Sequence, residues 1–393
     1  MSTFYNMPEI KNLKKAAKRI LKAVKNKERI ILYGDADLDG IGAVVILEET
    51  IKNLGGQITT VYFPDREIEG YGINKSALNI LKDKAPALFI SLDLGIGNFE
   101  EIKIAEKLGF ELLIIDHHQI LDKLPEASII VNPNQKGDKY PFKKFATVGL
   151  VFELSKILLK KNFSENLKQS FLELTALATI FDMMPETDDN EAFIAEGVRS
   201  LETTFRPGLK AFFKTDLIKE CNSTRHIAQK IISALGAGER IDHLNETYLL
   251  LKTSSEEEAE NLAKILIEKS SKKQLRTRKI VEEIEERMVE KPQDPIVFEG
   301  NPLWPLVLTG PVASKICRQY GKPTFIFKIN GEESVGGVRT PKEMNSVEAM
   351  KSCSNLLMTY GGHPQASGFR LKNENLEKFK ECLIEYFKKH SEV

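Results

Sequence analysis

Cysteine is scarce in this chain of 393 residues. There are four, Cys221, Cys317, Cys353 and Cys382, far apart and with no C-x-x-C pair. A thiolate metal site and a disulfide framework are therefore not expected, and a reducing cytoplasm fits. Net charge is missing too: Lys+Arg and Asp+Glu both total 56. No global field is available to hold a polyanion, so any nucleic-acid contact has to come from a local basic face. No apolar run reaches the length of a membrane span. The first residues, MSTFYNMPEIKNLKKAAKRI, lack the apolar core of a signal peptide and read as a leading amphipathic helix. There is no internal repeat and no low-complexity tract. What remains is an ordinary globular composition, 42% hydrophobic and 28% charged, long enough for two or more cores.

The first third holds three apolar runs that end in acids. Ile30–Tyr33 runs on to Asp35, Leu88–Leu92 to Asp93, and Leu112–Ile115 to Asp116, His117 and His118. Helix-like segments lie between them, AVVILEETIKNLGG and FEEIKIAEKLG, each stopped by glycine, which takes the left-handed conformation at little cost. Strand, helix, strand at this spacing predicts a parallel sheet with helices on its faces. In such sheets the carboxyl ends of the strands line the ligand crevice, so the fold can bring the three clusters together. Residues Glu165 to about Arg199 read as helical and contain a further acid, Asp182, after an apolar stretch. Ser254–Lys291 reads as a long charged helix. After Pro292 the runs PIVFEG, TFIFKI and ESVGGVRT read as strands around the helix-like VASKICRQYG. The expected layout is α/β: a parallel-sheet catalytic domain over 1–200, a helical connector over 201–290 and a smaller α/β domain over 291–393.

DADLDG, residues 35–40, starts like a calcium loop, but Ile46 stands where that loop needs a bidentate acid, and a strand rather than a helix precedes it. A dinucleotide loop is excluded because the G-x-G-x-x-G spacing is absent. Taken alone, the stretch could simply cap the next helix. The other clusters alter the balance. Four carboxylate clusters on one rim repel one another, each like pair at about 4 Å costing roughly 4 kcal/mol at an effective dielectric near 20. Divalent cations remove that cost, and carboxylate and imidazole donors without thiolates suit Mn²⁺ or Mg²⁺. There are more ligands than one ion needs, so two ions sharing a carboxylate is the expected count. Such a pair performs in-line displacement at phosphorus.

These segments carry a resemblance. GDADLDG, SLDLGIG, IIDHHQ and TIFDMMPE resemble the four motifs of the DHH phosphoesterase superfamily, and within it those of the RecJ-like single-strand-specific exonucleases. YFPDREIEGYGIN, IIVNPNQ, YPFKKFATVGLVFEL and RPGLKAFF are similar to the intervening RecJ text. YGGHPQASGF and SVGGVRT resemble the DHH-associated domain. The resemblance implies that Asp37, Asp39, Asp93, His117 and Asp182 bind metal, with Asp93 as the bridge. Asp35 ligates or supports them, His118 meets the scissile phosphate or a metal, and Asp116 orients a histidine. It implies that Arg339, Gly361, Gly362 and His363 hold the nucleic-acid strand. The implied activity is a two-metal exonuclease on single-stranded DNA, acting from the 5′ end and releasing mononucleotides. The alternatives are an oligonucleotide or cyclic-dinucleotide phosphodiesterase and a replication-scaffold relative. The Arg-rich loop of RecJ reads KIISALGAGERID here, with Arg240 standing for its final arginine. The sequence stops short of the OB-fold domain of bacterial RecJ. Weaker or shorter-substrate binding and a recruiting protein partner are expected on that ground.

Overall fold

The computed structural model describes residues 9–120, 123–289 and 294–390. The chain divides into two compact units, Met1–Ser270 and Ser271–Val393. The second domain's expected start near residue 291 lies outside the described residues, as do the first eight residues of the stretch expected to form a leading helix. Residues 201–270 belong to the first unit.

The first unit is built on a five-stranded parallel sheet in the order β2-β1-β3-β4-β5. Its strands are β1 (Ile30–Gly34), β2 (Thr60–Tyr62), β3 (Ala87–Leu92), β4 (Phe110–Ile115) and β5 (Ile129–Val131). The runs are continuously apolar because both faces are covered. Leu32, Leu88, Ile90 and Leu113 enter one core, while Ile31, Tyr33, Phe89, Leu112 and Ile114 enter another on the opposite face. The helices are α1 (Leu13–Lys25), α2 (Leu38–Asn53), α3 (Lys75–Leu81), α4 (Phe99–Lys107), α5 (Thr147–Leu159), α6 (Glu165–Phe181), α7 (Asp188–Ser200), α8 (Pro207–Lys210), α9 (Thr224–Leu235) and α10 (Glu246–Lys252). A short hairpin, β6 (Arg240–Ile241) and β7 (Leu244–Asn245), precedes α10. Helix α2 is buried nearly all round and packs against β1, α5, α6 and α10. This explains its weak amphipathic pattern.

Helix α11 (Glu256–Val289) runs from the first unit into the second. The second unit carries the sheet β11-β12-β10-β9-β8, antiparallel except for the β8–β9 pair. Its elements in chain order are β8 (Val297–Gly300), α12 (Leu306–Tyr320), β9 (Thr324–Asn330), β10 (Glu333–Arg339), α13 (Ser346–Ser352), β11 (Thr359–His363), β12 (Ala366–Lys372) and α14 (Leu376–His390). One sequence expectation is corrected here. Cys353 and Cys382 form a disulfide, their Cα atoms 6.1 Å apart. A sequence separation of 29 hides the pairing, which arises because α13 packs on α14. Among the described residues no helix is long and apolar enough to cross a membrane.

Candidate metal centre

Three neighbouring strands, β1, β3 and β4, deliver the site. Asp35 follows the last residue of β1, Asp93 that of β3 and Asp116 that of β4. Parallel strands in register put those ends on one rim: Gly34 pairs with Leu92, and Leu92 with Ile115. Asp37 caps α2, its Oδ1 accepting from the backbone N–H groups of Asp39 and Gly40 at 3.0 and 3.1 Å. The helix-cap reading of DADLDG is thus correct for one oxygen of Asp37, and Oδ2 is left for other work. Gly40 is required by close approach. A Cβ there would lie 2.4 Å from the Asp35 carbonyl oxygen.

Asp39 is held by the start of α5, where the N–H groups of Thr147 and Val148 donate to its two oxygens at 2.7 and 2.8 Å. Orphan amides and the positive end of a helix favour a carboxylate in that position. The Thr147 hydroxyl donates to Asp93 Oδ1 at 3.0 Å. Asp182 closes α6 as its C-cap. His117 Nε2 stands 3.3 Å from Asp93, 3.4 Å from Asp182 and 3.7 Å from Asp39. Asp116 faces the other histidine: its Oδ1 lies 2.8 Å from His118 Nδ1 and also accepts from the His118 N–H, while Oδ2 accepts from the Ile96 N–H. Asn134 and Asn132 donate to the His117 and His118 carbonyls at 2.8 and 3.0 Å. That fixes the backbone of the histidine pair.

Burial sets the electrostatics. Asp35, Asp39, Asp93, Asp116 and His117 are each 2% exposed or less. Burial first, then the charge of Asp37, pushes Asp39 up to about 7. Burial and the charges of Asp39 and Asp37 push Asp93 well above the carboxylate range. Burial would also raise Asp116, but the charge and hydrogen bonds of His118 outweigh it and hold this carboxyl far below its usual range. In the same pair burial disfavours the His118 imidazolium, yet Asp116 raises it to about 9. Without a cation the rim therefore contains acids that resist ionising together, beside the fixed pair of Asp116 and His118.

The donor atoms fall into overlapping groups: Asp39, His117 and Asp182; Asp93, Asp116 and His118; Asp35, Asp37 and Asp93. Within each group the atoms lie within 4.8 Å of one another, and Asp93 is shared by two. Donors about 2.1 Å from one divalent ion stand at most about 4.2 Å apart, so the 3.3–3.7 Å spacings around His117 need little adjustment. An all-oxygen and imidazole set fits a hard divalent ion.

The second unit gathers the other candidates along one end of its sheet. Arg339 ends β10 and pairs with Ala366, His363 pairs with the same Ala366, and Gly361 and Gly362 pair with Gly368 and Ser367. Gly362 has φ +127°, and a Cβ there would meet the Ala366 carbonyl oxygen at 2.6 Å. Arg240, in the first unit, is engaged elsewhere. Its guanidinium donates to Glu69 at 2.6 Å and to the Tyr62 hydroxyl at 3.1 Å, and stacks on the Tyr62 ring.

Residues 29–179 match the DHH family, N-terminal domain, and residues 304–389 match the DHHA1 domain. The chain belongs to the DHH family. The single-stranded-DNA-specific exonuclease RecJ of Bacillus subtilis is 33% identical over 387 residues, covering 97% of this chain and 48% of the relative. This DHH chain thus spans about half the length of that relative. The crystal structure of an exonuclease RecJ bound to manganese superposes with a TM-score of 0.77, covering 99% of this chain and 98% of that one at 24% identity. RecJ of Thermus thermophilus in complex with Mn²⁺ gives 0.79 at 23% identity, covering 98% of this chain and 56% of its own. These two likenesses establish the fold. Among the groups at the DHH site that sequence reasoning missed are Thr147 and Val148 in ATVGL, and Asn132 and Asn134 in VNPNQ. Polar residues at strand ends and helix starts were the available signal.

Proposed function

We propose that this chain is a divalent-metal-dependent exonuclease on single-stranded DNA, working from the 5′ end and releasing mononucleotides. The convergence of Asp35, Asp37, Asp39, Asp93 and Asp182 with His117 and His118 on one buried rim carries this reading. Its similarity to RecJ, and the manganese of the related RecJ structures, support the choice of substrate and ion. Asp37, Asp39, Asp93, His117 and Asp182 would hold two Mn²⁺ or Mg²⁺ ions, with Asp93 shared. Such a pair, when bound, supplies an ionised water and positive charge beside the phosphoryl oxygens.

The remaining steps belong to this chain's own groups. Asp116 takes the Nδ1 side of His118, which fixes the ring and turns Nε2 toward the Tyr71 hydroxyl at 3.5 Å. An Nε2–H in that position can donate to a phosphate oxygen. The amides at the start of α5 keep Asp39 aimed, and the Thr147 hydroxyl does the same for Asp93. In the second unit, Arg339 can fork onto a phosphate. Gly361 and Gly362, next to His363, carry no side chain that would hold a strand off the sheet end. A cytoplasmic address and a recruiting partner go with a DNA substrate. The Cys353–Cys382 pair weighs against a strongly reducing compartment.

The test is a product ladder. The purified chain is incubated with Mn²⁺ and single-stranded DNA, RNA or dinucleotides labelled at either end. Early loss of the 5′ label, on long DNA, is the expected result. Cleavage confined to dinucleotides would overturn it in favour of a small-substrate phosphodiesterase.

A further inference from the structure

The loop between β2 and α3 carries Arg66 and Tyr71 onto the acidic rim. Arg66 Nε donates to Asp35 Oδ1 at 2.9 Å, and its Nη2 donates to Asp35 Oδ2 and, at 2.9 Å, to Asp37 Oδ2. The Tyr71 ring lies 5.6 Å from the guanidinium carbon. Its hydroxyl is 3.3 Å from the Asp93 carbonyl and 3.5 Å from His118 Nε2. The loop is braced on both sides. Glu69 accepts from the Tyr62 hydroxyl, the Asp65 N–H and Arg240 at 2.6, 2.8 and 2.6 Å. Tyr33 donates to the Gly72 carbonyl, and Asn98 bonds both the N–H and the carbonyl of Ile73. Arg66 is thus delivered to the aspartates by a built arm.

The oxygens it occupies are those a cation would need. Both Asp35 oxygens are engaged, Asp37 Oδ1 is committed to the α2 cap, and Asp37 Oδ2 faces Arg66. A second cation at those oxygens is opposed by the guanidinium charge already seated on them. At the other end of the rim, Asp39, His117 and Asp182 form a donor group that Arg66 does not touch. We propose that Arg66 is a resident counter-ion that competes with one of the two divalent ions for Asp35 and Asp37. Loading that ion and releasing the Arg66–Tyr71 arm are then one event, while the ion at Asp39, His117 and Asp182 meets no competing guanidinium. The inference rests on the metal-centre reading above. It assigns Arg66 as a positioning residue that sets metal affinity, with Arg240 and Glu69 holding its arm in place.

The test is Mn²⁺ binding to the full chain, followed by electron paramagnetic resonance and calorimetry without substrate. Arg66→Gln should tighten one of two Mn²⁺ sites by about tenfold, as removal of a competing closed state does, and change the other much less. Arg66→Lys, which keeps the charge but loses the fork, should fall between. In the unaltered protein, saturating Mn²⁺ should speed amide exchange over residues 65–72. Equal or weaker affinity at both sites in Arg66→Gln and Arg66→Lys, or exchange that does not change, would overturn the competition while leaving the metal centre standing. Failure of the unaltered protein to bind Mn²⁺ at all would overturn both.

Discussion

The acidic rim of the first unit and the glycine-bearing strand pair of the second are built from opposite materials. On the rim the proposed working parts are acids and imidazoles packed where water is excluded, and burial first, then mutual repulsion, raises Asp39 and Asp93. At the end of the second sheet the proposed working parts are backbone at Gly361 and Gly362 and one guanidinium, Arg339. The first arrangement is costly until a cation arrives. The second costs little by itself and depends on shape. A lesion on the rim should therefore show in metal binding and in metal-free stability, and a lesion on the strand pair in substrate binding.

Asp93→Asn gives the largest effect. Asn tolerates the left-handed backbone at this position, where φ is +66°, and can still accept from Thr147. Losing the shared ligand removes several kcal/mol of metal-ion assistance, so nuclease activity in Mn²⁺ should fall on the order of 10³-fold or more. The same variant should melt higher than the parent in EDTA at neutral pH, because the cost of burying a carboxyl that resists ionising is gone. A lower melting temperature in EDTA would break the comparison, since it would make Asp93 a stabilising residue rather than a ligand held at a cost.

Arg339→Gln sharpens the other half. One lost phosphate contact should weaken single-stranded DNA binding by about tenfold and lower the salt dependence by roughly one ion. Gly362→Ala should act in the same direction, because it forces a Cβ to within 2.6 Å of the Ala366 carbonyl oxygen. Mn²⁺ affinity, measured by calorimetry, should not move in either variant. If it does, the second unit's residues belong to the metal chemistry and the division of labour drawn above is wrong.

The same contrast explains what could be read in advance. The rim was legible because Asp35, Asp93 and Asp116 stand directly after strand-like apolar runs, where a core residue would otherwise be expected. The parallel sheet followed from the same runs. The supports were not legible. Asp39 meets Thr147 and Val148 across more than a hundred residues, and nothing in ATVGL marks its amides as a carboxylate cradle. Arg66 was hidden for a related reason. An arginine in a polar loop, PDREIEG, looks like solvated charge, and only the braces at Glu69, Tyr33 and Asn98 turn it toward the acids. Arg240 was read from motif position as a substrate contact, and what the sequence did not reveal is that Glu69 and Tyr62 hold its guanidinium. The Cys353–Cys382 bond depends on how two helices pack, which cysteine spacing alone does not reveal.

The smallest expected effect is the most direct test of the rim's electrostatics. Burial and Asp37 raise Asp39 from 3.8 to about 7. Between those values the folded, metal-free chain holds a proton there that the unfolded chain has lost. Its stability is therefore fullest below about pH 4 with respect to this group, and is lost as pH rises toward 7. Metal binding has the opposite slope, because the ion must displace that proton. From Asp39 alone, Mn²⁺ affinity at pH 6.5 should be roughly fourfold weaker than at pH 8, and calorimetry in two buffers should record proton release. In EDTA, Asp39→Asn should gain on the parent in melting temperature as pH rises from 5 to 8. A flat affinity profile with no proton release would mean that Asp39 is already ionised in the folded chain. Its two backbone hydrogen bonds to the start of α5 would then outweigh its burial, and the rim would not need a cation at that end.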